Sequence, residues 1–559
     1  MTPVIDARRN DPKPVFELKP HPEPQSRTAI QSHPTIETPS IDPLATCSNP
    51  RGSSPRERKA LQLRGIVHLP RILTACLATL CLGLAAQADF VVYRLPGTQV
   101  TVLLEGKTKG VGQGTFEYTH PSLGTLTFSH ETALVIKAPT KLEEYRRLAN
   151  VARQEQRFDD YIQAARFALR SGFLEEFREC CNAAYKIQPD HPTMLRLLEA
   201  RKRIKQPVIG WESSEQQLRD SVPIPSMELA RSDHYLLLHD TGSNKVGRRR
   251  QSRWQSRLDL LEKVYESYFM KFALEGVVLE PPKEPMKVVL FGKEQDYVSY
   301  SQQRDPSLVG ALGYWSSEDN VAVFFDQGTT QRMRDLEQHS KELQRNKMRA
   351  RGTVQAKDAA YLANTVELLV KLTREDDDIE VVSHEATHQL AGNTGIMPRD
   401  QIALRWAHEG LASYFETSSD AGWGGIGAVN ENRLKSYYRV SSDPRRADIG
   451  LLVCDGLFDI ARNQQEEAEV YGQAWGLTHF LMERHFEKLI GYYRKISEIQ
   501  INQGNITRGQ LVALFTDSFG DLRTLQSQWH AYMRELKTDL DRARSQASSQ
   551  PNSQIPPAP

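Results

Sequence analysis

Val381-Val382-Ser383-His384-Glu385-Ala386-Thr387-His388-Gln389-Leu390 is the stretch on which the reading of this chain turns. It contains the pattern H-E-x-x-H. Residues four apart on a helix share a face, so His384 and His388 can grip one metal ion. Glu385 sits one residue round, where its carboxylate can act on a water held by that metal. Apolar Val381, Val382, Ala386 and Leu390 give the helix a buried side. In a chain with 15 histidines the five-residue pattern arises by chance in roughly one case in forty, so a second feature is needed.

That feature follows His388, with 20 residues intervening before Glu409. Trp406-Ala407-His408-Glu409-Gly410-Leu411-Ala412 places a carboxylate on a second helix, expected over about 401–417. The turn Asn393-Thr394-Gly395-Ile396-Met397-Pro398 can bring it back beside the histidines. Catalytic zinc usually takes three protein ligands and leaves a fourth position for water, so Glu409 is the expected third ligand. The version with a third His, H-E-x-x-H-x-x-G-x-x-H, is not met, because Ala391 and Thr394 hold those places. Upstream, one helix is expected over about 356–372. Asp376-Asp377-Asp378 would then charge the N-terminus of a separate helix carrying the motif.

Trp406 to Glu416 resembles the W-x-N-E-G-F-A stretch of the gluzincin aminopeptidases, with His408 where those have Asn. The resemblance implies a zincin-like α+β fold, zinc as the cofactor and Glu409 as a ligand. It also implies a transition-state tyrosine just before a helix, in a Y-x-K-G pattern. Val470-Tyr471-Gly472-Gln473-Ala474-Trp475 stands at a comparable distance and makes Tyr471 the candidate, with His408 and Asn393 as alternatives. The amine-holding G-x-M-E-N motif is absent; only Gly310-Ala311-Leu312-Gly313 is found. This favours an endopeptidase over an aminopeptidase. Residues from about 235 to 480 are similar to a family of uncharacterised secreted or envelope proteins of planctomycete bacteria, defined by a domain of unknown function. The resemblance rests on the H-E-A-T-H and E-G-L-A-S-Y-F-E stretches and implies the same fold and metal site.

The expected chemistry follows. Zinc on His384, His388 and Glu409 would bring the pKa of its water down towards ~7 and polarise a carbonyl. Glu385 would take the water's proton and deliver it to a leaving amine. Ser413 and Glu416, one and two turns beyond Glu409, are candidates to orient a ligand histidine through its other nitrogen. The competing reading is a binding or scaffold protein with a degenerate zincin domain, or a zinc hydrolase of non-peptide amides.

The rest of the chain implies several domains, as 559 residues exceed one compact core. Charges balance, 71 basic against 70 acidic, so nothing global points to nucleic acid or an anionic membrane. Residues 1–55 are rich in Pro, Ser and Thr and are expected to be disordered. In 56–88 a basic flank, an apolar run from Ile72 to Ala86 and an A-x-A-like end read as a signal peptide or membrane anchor. The expected location is therefore secreted, periplasmic or cell envelope, with membrane attachment only if the segment stays uncleaved.

Residues 89–138 read as a small all-β module, with short apolar runs between Gly- and Pro-containing turns. Residues 139–206 turn helical, and a helix pair ending Pro189-Asp190-His191-Pro192 resembles one tetratricopeptide repeat. Such helices suggest a protein partner beside the peptide or protein substrate. Residues 207–230 read as a polar linker, 231–541 as the peptidase domain with a mostly helical C-terminal half, and 542–559 as a disordered tail. Cys180, Cys181 and Cys454 lack the spacing of a disulfide framework or a zinc clip and read as small hydrophobes.

Overall fold

The computed structural model describes residues 88–94, 101–110, 114–120, 124–130, 133–242, 251–308, 310–349, 356–399, 404–419, 422–499 and 506–548. The expected disordered ends, apart from 542–548, and the signal-like segment, apart from Ala88, lie outside them. Among the described residues no helix is long and apolar enough to cross a membrane.

The N-terminal region is all-β. Strands β1 (Ala88–Arg94), β2 (Thr101–Gly110), β3 (Thr115–His120), β4 (Gly124–Ser129) and β5 (Ala133–Ala138) form one antiparallel sheet in the order β4-β3-β2-β1-β5. Alternation puts Val91, Tyr93, Leu104, Phe116, Tyr118 and Phe128 on one buried face. Gly106 leaves room for Tyr118 to lie across β2. A methyl there would sit 2.5 Å from the Thr119 carbonyl oxygen and 2.6 Å from the Tyr118 ring.

Four helices follow, α1 (Lys141–Glu155), α2 (Phe158–Arg170), α3 (Leu174–Ile187) and α4 (Pro192–Ile204). Small Ala164, Ala165 and Ala168 lie fully buried and let α2 approach its neighbours closely. Cys180 and Cys454 are buried and Cys181 half-buried, all as free thiols. The expected linker is not a linker. It holds α5 (Trp211–Ser221) and most of β6 (Glu228–Arg231). Only about one residue per turn of α5 is apolar, but Leu218, Val222 and Met227 enter a core with Leu236, Leu238, Val289 and Phe291.

That core belongs to a second sheet. Strands β7 (Tyr235–His239) and β8 (Met286–Phe291) flank α6 (Arg253–Leu274); α7 (Glu294–Arg304), β9 (Gly313–Ser316) and β10 (Val321–Phe325) complete the unit. The order is β6-β7-β8-β10-β9. The three central strands are parallel, and the two outer ones run antiparallel to their neighbours. Continuous apolar runs such as Val321-Ala322-Val323-Phe324-Phe325 are buried on both faces, as parallel strands require.

After α8 (Gln331–Arg349), the two helices expected upstream of the motif prove to be one, α9, Ala356–Asn393, 38 residues long. No Gly or Pro interrupts positions 356–391, so nothing in the backbone ends the helix at 372. The acidic run is not a helix start. Asp378 is buried mid-helix, where Arg257 and Arg253 (3.2 Å) of α6 pair with it and the Gln327 amide donates to it at 3.0 Å. Arg253 also holds Glu375 at 2.7 Å, and Arg374 holds Asp326 at 2.8 Å.

The first half of α9 carries Leu368 and Leu372 against the β module, and the second half carries the histidines. The remaining elements are α10 (Arg405–Phe415), a small β11–β12 hairpin (Ser418–Ser419, Gly422–Trp423), α11 (Glu431–Val440), α12 (Ile449–Val453), α13 (Gly456–Ile460), α14 (Gln464–Arg484), α15 (Phe486–Ser497), α16 (Arg508–Phe519), α17 (Leu522–Glu535) and α18 (Asp539–Ser548). The expected tail therefore begins inside a helix. Ala543 and Leu540 of α18 cover the second face of the β module at Phe90, Val92, Ile136 and Ala138.

Helices α1–α4 share one apolar core with α6, α9, α10 and α14. At their end His234 bolts α4 to α6: Nδ1 meets Glu262 at 2.7 Å and Nε2 meets the Ile204 carbonyl at 2.7 Å. Burial would lower the His234 pKa, but the Glu262 contact and the carbonyl outweigh it and hold it above the usual value.

Two tests follow from this packing. Arg257→Met leaves Asp378 short of a buried partner and is expected to cost about 3–5 kcal/mol, read as an earlier denaturant midpoint; an unchanged midpoint would remove the cluster's structural role. A raised folded pKa means the His234–Glu262 contact stabilises fully below about pH 6.5 and is lost as pH rises through the folded value. The melting-temperature gap between wild type and His234→Gln should therefore be widest in mild acid and close at higher pH.

Candidate metal centre

Two helices bring the donors together. His384 and His388 sit in the last turns of α9, and Glu409 in the second turn of α10. Leu404 at the start of α10 offers no side-chain cap. Asp455 caps it from across the fold, accepting from the Arg405 amide at 2.8 Å and the Trp406 amide at 2.9 Å. Burial pushes the Asp455 carboxyl up to about 6 against the pull of those amides. Gly410 lets α10 touch α14; a methyl there would overlap Thr478 Oγ1 and lie 2.6 Å from the Ala474 carbonyl oxygen.

His384 Nε2 lies 3.1 Å from His388 Nε2 and 3.1 Å from Glu409 Oε2, and His388 Nε2 lies 3.6 Å from Glu409 Oε2. Tetrahedral zinc with bonds of about 2.0–2.1 Å spaces its donors by about 3.3 Å. The three residues thus form a group able to hold a metal ion.

The electrostatics fit a cation as well. Glu385 (8% exposed), Glu409 and Glu416 (3%) crowd this pocket, and among the described residues Arg433 is the one cation besides the histidines that forms an ion pair with any of the three. With neutral imidazoles the pocket is two positive charges short, the charge of a divalent metal. Burial alone would lower the His384 pKa, yet hydrogen bonds to Glu409 and Glu416 raise it to about 10. Burial likewise works against ionised Glu409 and Glu416. His388 and His384 hold Glu409 well below the carboxylate range, and Arg433 with His384 brings Glu416 down to about 2.

Glu416 is the carboxylate behind the centre. Its Oε2 meets His384 Nδ1 at 2.7 Å, fixing the ring so that Nε2 faces the other donors. It also accepts from Asn430 Nδ2 at 3.0 Å and Arg433 Nε at 2.7 Å. Ser413, the other candidate for this task, does not perform it. Its side chain is fully buried, and its hydroxyl finds no hydrogen-bond partner among the described residues.

Glu385 lies beside the donors under β9, the edge strand. A methyl on Gly313 would meet Val381 Cγ1 at 2.7 Å and Glu385 Cγ at 3.3 Å, so glycine is what lets the strand lie on the motif helix. Burial raises the Glu385 carboxyl above its ordinary value. Trp315 on β9 stacks towards His388, ring centroids 6.5 Å apart, and fits over Gly392. Gly392 thus serves the last turn of α9, which runs one residue past it.

Tyr471 lies within α14, in its second turn, and not ahead of a helix as expected. Asn463 caps α14 well upstream, accepting from the Glu466 amide at 3.0 Å. Burial, with Glu409 nearby, raises the Tyr471 phenol above its ordinary value, so it stays neutral. His408 has its ring 5.9 Å from that of His388, and burial lowers its pKa to about 4. Asn393 is engaged elsewhere: its amide exchanges hydrogen bonds with Asn320 at 2.8 and 2.9 Å. Of the three candidates for an oxyanion contact, Asn393 is therefore committed to the fold.

Arg433, Asn430, Asp455 and Gly313 escaped the sequence reading. Each is 17 or more residues from the nearest residue it serves, apart from Asn430, which is 14 from Glu416. The one local sign was Asn430 itself, whose N-cap position before Glu431 is readable as a helix start. Glu416→Gln should weaken zinc binding by about 10–100-fold with the fold retained, measured by competition with a chromophoric chelator. Unchanged affinity would show that Glu416 does not tune the site.

Residues 378–501 match the model of a family described as protein of unknown function (DUF1570). No curated protein and no solved structure matches the chain. The matched segment runs from buried Asp378 through both histidines, Glu409, Glu416, Arg433 and Tyr471, so it takes in all three residues of the group able to hold a metal ion.

Proposed function

We propose that this protein is a zinc-dependent hydrolase, and specifically a metallo-endopeptidase. The observation that carries the reading is the three-donor group at tetrahedral spacing with the buried carboxylate of Glu385 on the same helix as the histidines. His384, His388 and Glu409 would hold the zinc. Bound there, zinc would activate water and polarise a carbonyl. The chain's own residues supply the rest. Glu385, its basicity raised by burial, moves the proton from water to the leaving amine. Tyr471, a neutral phenol, donates to the developing oxyanion. Glu416 keeps His384 in the correct tautomer.

The substrate class is argued from β9. As the edge of its sheet, antiparallel to β10 and lying along the motif helix, it offers backbone groups to an extended peptide. A mixed sheet with such an edge over the motif helix, followed by a second ligand helix, also supports a zincin-like fold. The succession of helices α1–α4 supports reading this region as tetratricopeptide-like, with a protein partner as part of the proposal. The basic flank and apolar run of 56–88 support action outside the cytoplasm, as in the secreted planctomycete proteins the chain resembles.

Protein purified without chelator should carry one zinc per chain. Glu385→Gln should keep the zinc and lose cleavage of casein or a peptide library by about 10²–10⁴-fold. Zinc-loaded wild type that cleaves no better than the variant would sink the hydrolase reading and leave the scaffold reading in its place.

A further inference from the structure

We infer that Arg433 is a positioning residue that couples the support of His384 to the placement of Tyr471. The inference rests on the hydrolase reading above and concerns how that site is kept in register.

Arg433 stands in the first turn of α11, whose cap Asn430 accepts from the Asn432 amide at 3.0 Å and the Arg433 amide at 3.1 Å. Its guanidinium grips Glu416 with two parallel bonds, Nε to Oε1 at 2.7 Å and Nη2 to Oε2 at 3.1 Å. A planar fork held at two points cannot swivel. The guanidinium carbon lies over the Tyr471 ring, 5.0 Å from its centroid, where a cation is attracted to the π face.

The backbone makes this meeting obligatory. A methyl on Gly472 would lie 2.7 Å from the Tyr437 amide nitrogen and 2.8 Å from the Arg433 carbonyl oxygen. Helices α11 and α14 therefore touch at the residue next to Tyr471. Through one rigid side chain, Glu416 on one side and Tyr471 on the other share a fixed geometry. Lysine would supply the charge to Glu416, but it has neither the fork nor the flat face.

Full-length wild type, Arg433→Lys, Arg433→Met, Tyr471→Phe and the Arg433→Lys/Tyr471→Phe double variant test this. In zinc competition against a chromophoric chelator, Arg433→Met should bind about tenfold or more weakly, while Arg433→Lys should stay within about threefold of wild type. The cobalt-substituted proteins, titrated with acetohydroxamic acid and followed by visible absorption, report the oxyanion side without turnover. There Tyr471→Phe and Arg433→Lys should each weaken the hydroxamate by about tenfold, and the double variant should be no weaker than either.

Wild-type zinc affinity in Arg433→Met, or in its place wild-type hydroxamate affinity in Arg433→Lys if the methionine variant does not fold, would overturn the inference. So would losses that multiply in the double variant, because independent residues add in free energy. Wild type that binds metal and hydroxamate with these patterns but cleaves nothing would remove the peptidase reading and leave this coupling standing.

Discussion

One helix, Ala356–Asn393, carries the molecule. At about 1.5 Å per residue it is about 57 Å long, and each part of the fold is attached along it. The β module packs on Leu368 and Leu372. The arginines of α6 meet it at Glu375 and Asp378. The edge strand β9 lies on Val381 and Glu385, and the histidines follow in the last turns. Burying Asp378 in mid-helix is unfavourable alone, and the paired arginines are what make it tolerable. They also lock the helix to α6 in one register, so the candidate metal donors on it inherit their position from an ion cluster more than a turn upstream.

At the far end the constraint becomes electrostatic. Three carboxylates and two imidazoles lie in a space from which water is largely excluded, facing one guanidinium. Such a set is unfavourable without a further cation, and the hydrogen bonds to Glu409 and Glu416 raise the His384 pKa against its burial. A network that runs from His384 through Glu416 to Arg433 and on to the Tyr471 ring extends this order outwards from the three donors.

Glycines set the distances. Gly313, Gly410 and Gly472 each stand where a methyl would collide with a neighbouring element, and each adjoins a residue of the site. Their role is close approach of backbones, which brings β9, the two donor helices and α14 within reach of one another. The α1–α4 region is integral to this assembly. Arg170 of α2 pairs at 2.7 Å with Glu483, which accepts from Tyr414 on α10 at 2.5 Å. Gly425, in the loop between β12 and α11, would with a methyl overlap the Arg170 carbonyl.

Much of this was legible in the linear chain. Local patterning decided the five N-terminal strands, the apolar strands of the second sheet and the helical region, because period and turn chemistry are properties of neighbouring residues. The i, i+4 spacing of His384 and His388 is likewise local, and Glu409 and Glu416 follow from their place on a single helix. What failed was non-local. An acidic run read as a helix start, because the arginines that neutralise Asp378 are over 120 positions away. Tyr471 read as lying before a helix whose cap, Asn463, is two turns upstream. A polar segment read as a linker, although a few buried residues make it part of a core. Sequence by itself determined which residues have metal-binding chemistry and which faces are apolar. Only the tertiary structure decided which second carboxylate holds His384, which cation holds that carboxylate, and which strand covers the site, because those choices depend on contacts between segments that the chain brings together only on folding.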